Sequence, residues 1–140
     1  MSAKPTIAYL LLPLALGLIV PTARAEAPSD FLARFDQVAR AADAGFRGFS
    51  AQRGERFFKS RHGADWSCAS CHSDNPVAPG RHAVTGKAIG PLAPAANAER
   101  FSSARQVEKW FKRNCNDVLE RACTAQEKGD VLAYLLTLRK

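Results

Sequence analysis

The chain has 140 residues, 20 Lys and Arg against 13 Asp and Glu, and a formal net charge of +7. That length holds one small domain, whose limited core would gain from a covalent cofactor or a disulfide. The basic residues are dispersed rather than clustered, which argues against nucleic acid and leaves a mildly basic face suited to an acidic protein partner.

An export leader is expected first. Lys4 gives a positive start, residues 7–20 are uncharged and mostly apolar, and Ala23-Arg24-Ala25 offers an A-x-A cleavage pattern. The apolar stretch falls short of the ~20 residues that a membrane-spanning helix needs, so cleavage after Ala25 is expected rather than stable membrane insertion. Residues 1–25 are then the leader and residues 26–140 a mature domain in a periplasmic compartment. Within that domain Phe31, Phe35, Val38, Ala39 and Ala42 recur at helical spacing as far as Gly45. A second helix is expected to open with Ser50 as N-cap and to carry Phe57 and Phe58.

Next comes Cys68-Ala69-Ser70-Cys71-His72, a C-x-x-C-H motif. Two cysteines three apart can each add to a vinyl group of one porphyrin, which places the adjoining histidine beneath the iron. Zinc ribbons and thiol oxidoreductases also use C-x-x-C pairs. No βαβ pattern surrounds this one, and the leader points to an oxidising compartment, so one covalently attached haem c is the favoured reading. Cys115 and Cys123 remain, and an oxidising compartment favours joining them as a disulfide. Their spacing is too long for the second half of a four-cysteine zinc site.

Residues 73–98 contain Pro76, Pro79, Pro91 and Pro94 with three glycines, and are expected to form a long irregular loop wrapped around something. Two capping boxes follow. Ser103-x-x-Gln106 opens a helix through Val107, Trp110 and Phe111, and Thr124-x-x-Glu127 opens the last, through Val131, Leu132, Leu135 and Leu136. This order is similar to that of a class I cytochrome c: all-α, about five helices, with a long Pro-rich loop around one haem. In such proteins the N- and C-terminal helices cross. The carbonyl of a loop proline, here matched by Pro91, accepts a hydrogen bond from the proximal histidine. An ordinary loop proline is the competing reading.

The sixth ligand is the open question. The only methionine is Met1, which departs with the leader, so the mature domain cannot use methionine. His62, His82, a lysine, an asparagine or an open position remain. Asn114 follows directly on the Val107–Arg113 segment, beside Cys115, although asparagine is also a common helix-terminal residue. Trp110 lies one turn earlier and either lines the same pocket or packs in the core.

The run Trp110-Phe111-Lys112-Arg113-Asn114-Cys115-Asn116-Asp117-Val118-Leu119, followed by Cys123-Thr124, closely resembles the SHP type of cytochrome c (sphaeroides haem protein). Segments Lys87-Ala88-Ile89, Pro91-Leu92-Ala93-Pro94, Asn97 and Arg100-Phe101 are similar too. The resemblance implies His72 as proximal and Asn114 as distal iron ligand, with the Cys115–Cys123 disulfide beside the haem. It also implies binding of dioxygen or nitric oxide in the reduced state, and electron exchange with a dihaem cytochrome c or a membrane b-type cytochrome, by a monomer. The alternative is an ordinary six-coordinate electron carrier with a histidine distal ligand, His82. No sequence-close acid/base pair marks a peroxidase-like site, so an enzymatic oxidase-type role is expected only as a side activity.

Overall fold

The computed structural model describes residues 25–63 and 65–140. The expected leader, Ala25 apart, lies outside the described residues. Five helices and one small hairpin follow in order: α1 (Pro28–Ala42), α2 (Ala51–Lys59), α3 (Ala69–His72), β1 (Gly80–Arg81), β2 (Ala88–Ile89), α4 (Ala104–Leu119) and α5 (Ala125–Thr137).

Each long helix starts where its local chemistry dictates. Pro28 occupies the first turn of α1, and Asp30 reaches back to accept from the Ala27 N–H at 2.8 Å. Ser50 caps α2, its hydroxyl accepting from Arg53 N–H at 3.2 Å. At α5 the expected capping box forms: Thr124 Oγ1 accepts from Glu127 N–H at 3.1 Å, and Glu127 accepts from Thr124 N–H at 2.8 Å. The box expected at α4 does not form. Ser103 occupies the N-cap position without a side-chain bond, and the Glu26 carboxylate takes the Ala104 N–H instead, while also pairing with Arg34. A carboxylate suits the positive end of a helix better than a neutral hydroxyl does.

The core is two apolar clusters laid along α5. Phe31, Phe35, Val107 and Leu132 form one, and Phe58, Val131, Tyr134 and Leu135 the other, with Phe101 packed against both. Phe31 and Phe35 are one turn apart on α1, and each such side chain fully buried contributes roughly 2 kcal/mol. The helix that crosses α5 most closely is α2. A Cβ on Gly54 would stand 1.9 Å from the Asp130 carbonyl oxygen, and one on Gly129 would stand 2.1 Å from Phe49. The Asp130 carboxylate fastens the same crossing. It is buried and accepts from Ser50 N–H at 2.6 Å and from Arg53 Nε and Nη2 at 2.8 and 2.9 Å. The crossing expected of the N- and C-terminal helices is therefore made chiefly by α2, and α1 lies beside it as an additional helix on α5.

Two further expectations are corrected. The loop at residues 73–98 is not wholly irregular: it contains an antiparallel pair, Gly80 opposite Ile89 and Arg81 opposite Ala88. Strands of two residues are too short to leave an alternating pattern. Second, α4 does not stop before Asn114 but runs on to Leu119 and ends at Glu120, whose φ of 59° is left-handed. No Gly or Pro interrupts residues 104–119, and Val107, Phe111, Cys115 and Val118 continue one inward stripe. That stripe outweighs the modest helix propensities of Asn114, Asn116 and Asp117, each a few tenths of a kcal/mol.

Candidate functional site

The attachment turn is built by two serines. Ser70 N–H donates to Ser67 Oγ at 3.1 Å and Ser67 N–H to Ser70 Oγ at 3.0 Å, so each serine closes the other's backbone. This winds α3 as a single turn in which Cys68 and Cys71, at i and i+3, share a face, with His72 one turn on from Cys68. Both cysteines are free thiols, and burial pushes the Cys68 thiol up to about 11. Burial, together with the nearby Arg100 cation, pushes the His72 imidazole down to about 4, so the ring is neutral at neutral pH. Neutral imidazole is the metal-ligating form. His72 Nδ1 is buried with no hydrogen-bond partner. Two unjoined thiols on one face beside a neutral, unsatisfied imidazole are the donor set that a covalent haem requires, so these residues fit the group. They do not fit a zinc centre: Cys115 and Cys123 are bonded to each other, and among the described residues no three His, Cys, Asp or Glu side chains converge as metal ligands.

The loop below His72 is held by Arg100. Its Nε donates to the Pro91 carbonyl at 3.0 Å and its Nη2 to the Gly90 carbonyl at 3.0 Å, with Asn97 Nδ2 also on Pro91 O at 3.5 Å. Pro91 O thus accepts from Arg100 and Asn97, while His72 Nδ1, expected to donate to it, has no hydrogen-bond partner in this structure. Desolvation lowers the Arg100 pKa. From the sequence, Arg100 appeared only within the resemblance. Its clamp on Gly90 and Pro91 left no local signal, because the residues are brought together by the fold of the loop.

On α4, Asn114 is half-buried and Trp110, one turn earlier on the same side, is 41% exposed. Trp110 is thus not a core residue. Lys109 Nζ and the Arg113 guanidinium stand 5.4 and 5.7 Å from its ring centre. Phe111 supplies the core contact instead, edge-on to Phe35 with centroids 5.7 Å apart. Cys115 is buried and bonded to Cys123, Cα atoms 5.5 Å apart, which ties the middle of α4 to the start of α5. Asn114 is consequently an internal helical residue, not the terminal one expected.

The other histidines are engaged elsewhere. His62 Nε2 is 2.9 Å from the Phe57 carbonyl and its ring lies 4.6 Å from that of Phe57, at the end of α2. His82 Nδ1 accepts from Val84 and Thr85 N–H at 3.2 and 3.4 Å within its own turn.

Comparison with known proteins gives the family and the fold. Residues 44–135 match the family described as Domain of unknown function (DUF1924). Cytochrome c'' of Methylophilus methylotrophus is 47% identical over 85 residues, 61% of this chain and 59% of that protein. The cytochrome c-type protein SHP of Cereibacter sphaeroides is 49% identical over 69 residues, 49% of this chain and 53% of that protein. These matches span less than two thirds of either relative's length. Solved structures extend the likeness. Oxidised cytochrome c'' superposes with a TM-score of 0.73 at 37% identity, covering 81% of this chain and 95% of that one. Oxidised SHP, an oxygen-binding cytochrome c, gives 0.72 at 35% identity, covering 81% and 99%. The all-α, class I-like fold expected from the sequence is the fold found. The chain belongs to the DUF1924 family, in the SHP and cytochrome c'' class of c-type cytochromes, whose cofactor is a covalently bound haem c.

Proposed function

We propose that the chain is a periplasmic, redox-active haem protein in which His72 and Asn114 are the two axial ligands, and in which reduction frees the Asn114 side for a diatomic ligand such as dioxygen or nitric oxide. The observation that carries this reading is Asn114 itself. It is a half-buried carboxamide on α4, beside the disulfide-bonded Cys115, in a chain whose only methionine is Met1. The likeness to an oxygen-binding cytochrome c supports it, as does the likeness to a cytochrome c'' studied in solution for haem-ligand detachment (37% identity, TM-score 0.71).

Cys68 and Cys71 would hold a haem, which would supply a one-electron couple. The rest is the work of the chain. His72 presents a neutral ring nitrogen from α3. Asn114 offers an amide oxygen, a hard and weak ligand that favours the ferric over the ferrous state. Release of the Asn114 side chain would need only its own rotation, because the backbone there is internal helix, with the adjoining Cys115 bonded to Cys123. The released NH2 group can then donate a hydrogen bond to the incoming diatomic. Trp110, one turn away, covers the same side.

A six-coordinate carrier with His82 as distal ligand is the weaker reading, since His82 Nδ1 accepts from the amides of its own turn, which leaves the proton of the neutral ring on Nε2, the other nitrogen that could ligate. Electronic and EPR spectra of the purified protein decide between the two. Asn114→Ala should turn the ferric protein high-spin, and reduced parent protein should take up carbon monoxide. A spectrum unchanged by Asn114→Ala but made high-spin by His82→Ala would reverse the assignment.

A further inference from the structure

The turn that carries Cys71 is covered on one side by the β1–β2 hairpin. A Cβ on Gly80 would stand 2.1 Å from the Cys71 carbonyl oxygen, so glycine alone permits this approach. Further along, the Ala83 N–H points at the Cys71 sulfur from 3.4 Å, a weak hydrogen bond. His82 is folded onto the turn, and Gly86, at φ 67°, completes it. The close approach of Gly80 to the Cys71 backbone and the single amide contact of Ala83 to the Cys71 sulfur hold the hairpin on the attachment turn, and its tip is exposed. Val84 there is 75% exposed. Arg81 and Lys87 flank it, both exposed, and among the described residues neither is ion-paired. No Asp or Glu occurs in residues 75–98.

A thioether sulfur is bonded to the porphyrin periphery, so whatever touches Cys71 Sγ lies beside the edge through which electrons pass. Electron transfer falls steeply with distance, and a partner must come close to that edge. A surface that serves brief encounters combines an apolar centre with a charged rim that steers the approach. We propose that the hairpin tip, Val84 and Ala83 rimmed by Arg81 and Lys87, is the docking surface for an acidic redox protein. This rests on the reading of the chain as a redox-active haem protein. In each encounter one electron leaves the reduced partner, which is oxidised by one unit, and reduces the ferric centre of this chain to ferrous; no atom is transferred. The rival cationic surface is on α4, at Lys109, Lys112 and Arg113. There Arg113 lies 3.7 Å from Asp117, and among the described residues no hydrogen bond joins that surface to the sulfur of Cys68 or Cys71, whereas Ala83 makes one to Cys71.

Stopped-flow reduction of the ferric holoprotein tests the placement, with reduced flavodoxin, a small acidic flavoprotein, as probe. Lys87→Glu and Val84→Asp should each lower the second-order rate constant by about fivefold to tenfold at low ionic strength, with the loss shrinking as salt is added. Neutral photoreduced lumiflavin, run in parallel, should show no comparable loss, and Lys112→Glu on α4 should cost less than twofold with flavodoxin. Hairpin variants that match the parent, or a greater loss from Lys112→Glu, would overturn the placement. A parent protein without a c-type absorption band would remove the redox reading and the surface with it.

Discussion

Gly54 and Asp130 decide how closely two helices meet, and neither advertised that role. A glycine inside a helical pattern reads locally as a weak point costing about 1 kcal/mol relative to alanine. Its partner is the Asp130 carbonyl on α5, far along the chain, and no local pattern reports such a contact. Gly54→Ala should therefore destabilise rather than stabilise, by about 2–3 kcal/mol, because the helices must separate to admit one methyl group. Urea unfolding of the holoprotein measures this, and a variant as stable as the parent would mean that the crossing yields easily. The contrast with Cys68, Cys71 and His72 is instructive. Their chemistry lies in five consecutive residues and was legible at once. The hold of Arg100 on the Pro91 carbonyl was not, because the two residues meet only through the fold of the loop.

Element boundaries were readable where a side chain caps its own helix and misread where a remote group does so. Thr124 and Glu127 close a box within four residues, and α5 begins where that box predicts. The start of α4 was right for a different reason, since the Glu26 carboxylate accepts a first-turn N–H where the capping was expected from the neutral Ser103 and Gln106. Its end was wrong because Asn114 read as a helix-terminal residue, while the stripe from Val107 to Val118 kept the helix going. Two consequences can be measured by thermal unfolding. Thr124→Ala should cost about 1 kcal/mol, the usual worth of an N-cap. The double variant Cys115→Ser/Cys123→Ser should cost roughly 2–3 kcal/mol through the greater freedom of the unfolded chain. If that double variant also left carbon monoxide binding rates unchanged, the tie at Cys115 would hold the fold together without tuning the Asn114 side.

Among the described residues, α5 is the spine on which α1 and α2 are laid, while the hairpin rests on α3. Two clusters share that helix and meet at Phe101, while α3 and its cysteines border the second cluster through Cys68 and Ala69. Among the described residues no helix is long and apolar enough to cross a membrane. A core this size leaves a small domain marginal, and a group that binds only the folded chain adds directly to its stability. A Cys68→Ala/Cys71→Ala variant, unable to attach haem, should keep helical far-UV circular dichroism but lose near-UV signal and a cooperative melting transition. A sharp melt close to that of the holoprotein would show that the two clusters suffice. The fold class was legible from helix order and the attachment motif. The arrangement of α1, α2 and α5 was not, because it depends on contacts between distant residues.

Glu26 links the segment before α1 to α4. Its carboxylate neutralises the first turn of α4, the helix that presents Asn114, and it also holds Arg34 of α1. A preparation trimmed past Glu26 would leave that turn free to fray and loosen the approach to Asn114 from its N-terminal side. Spectra and ligand-binding rates would then depend on where the polypeptide begins. Samples with different starting residues should be compared only after their termini have been established by mass spectrometry.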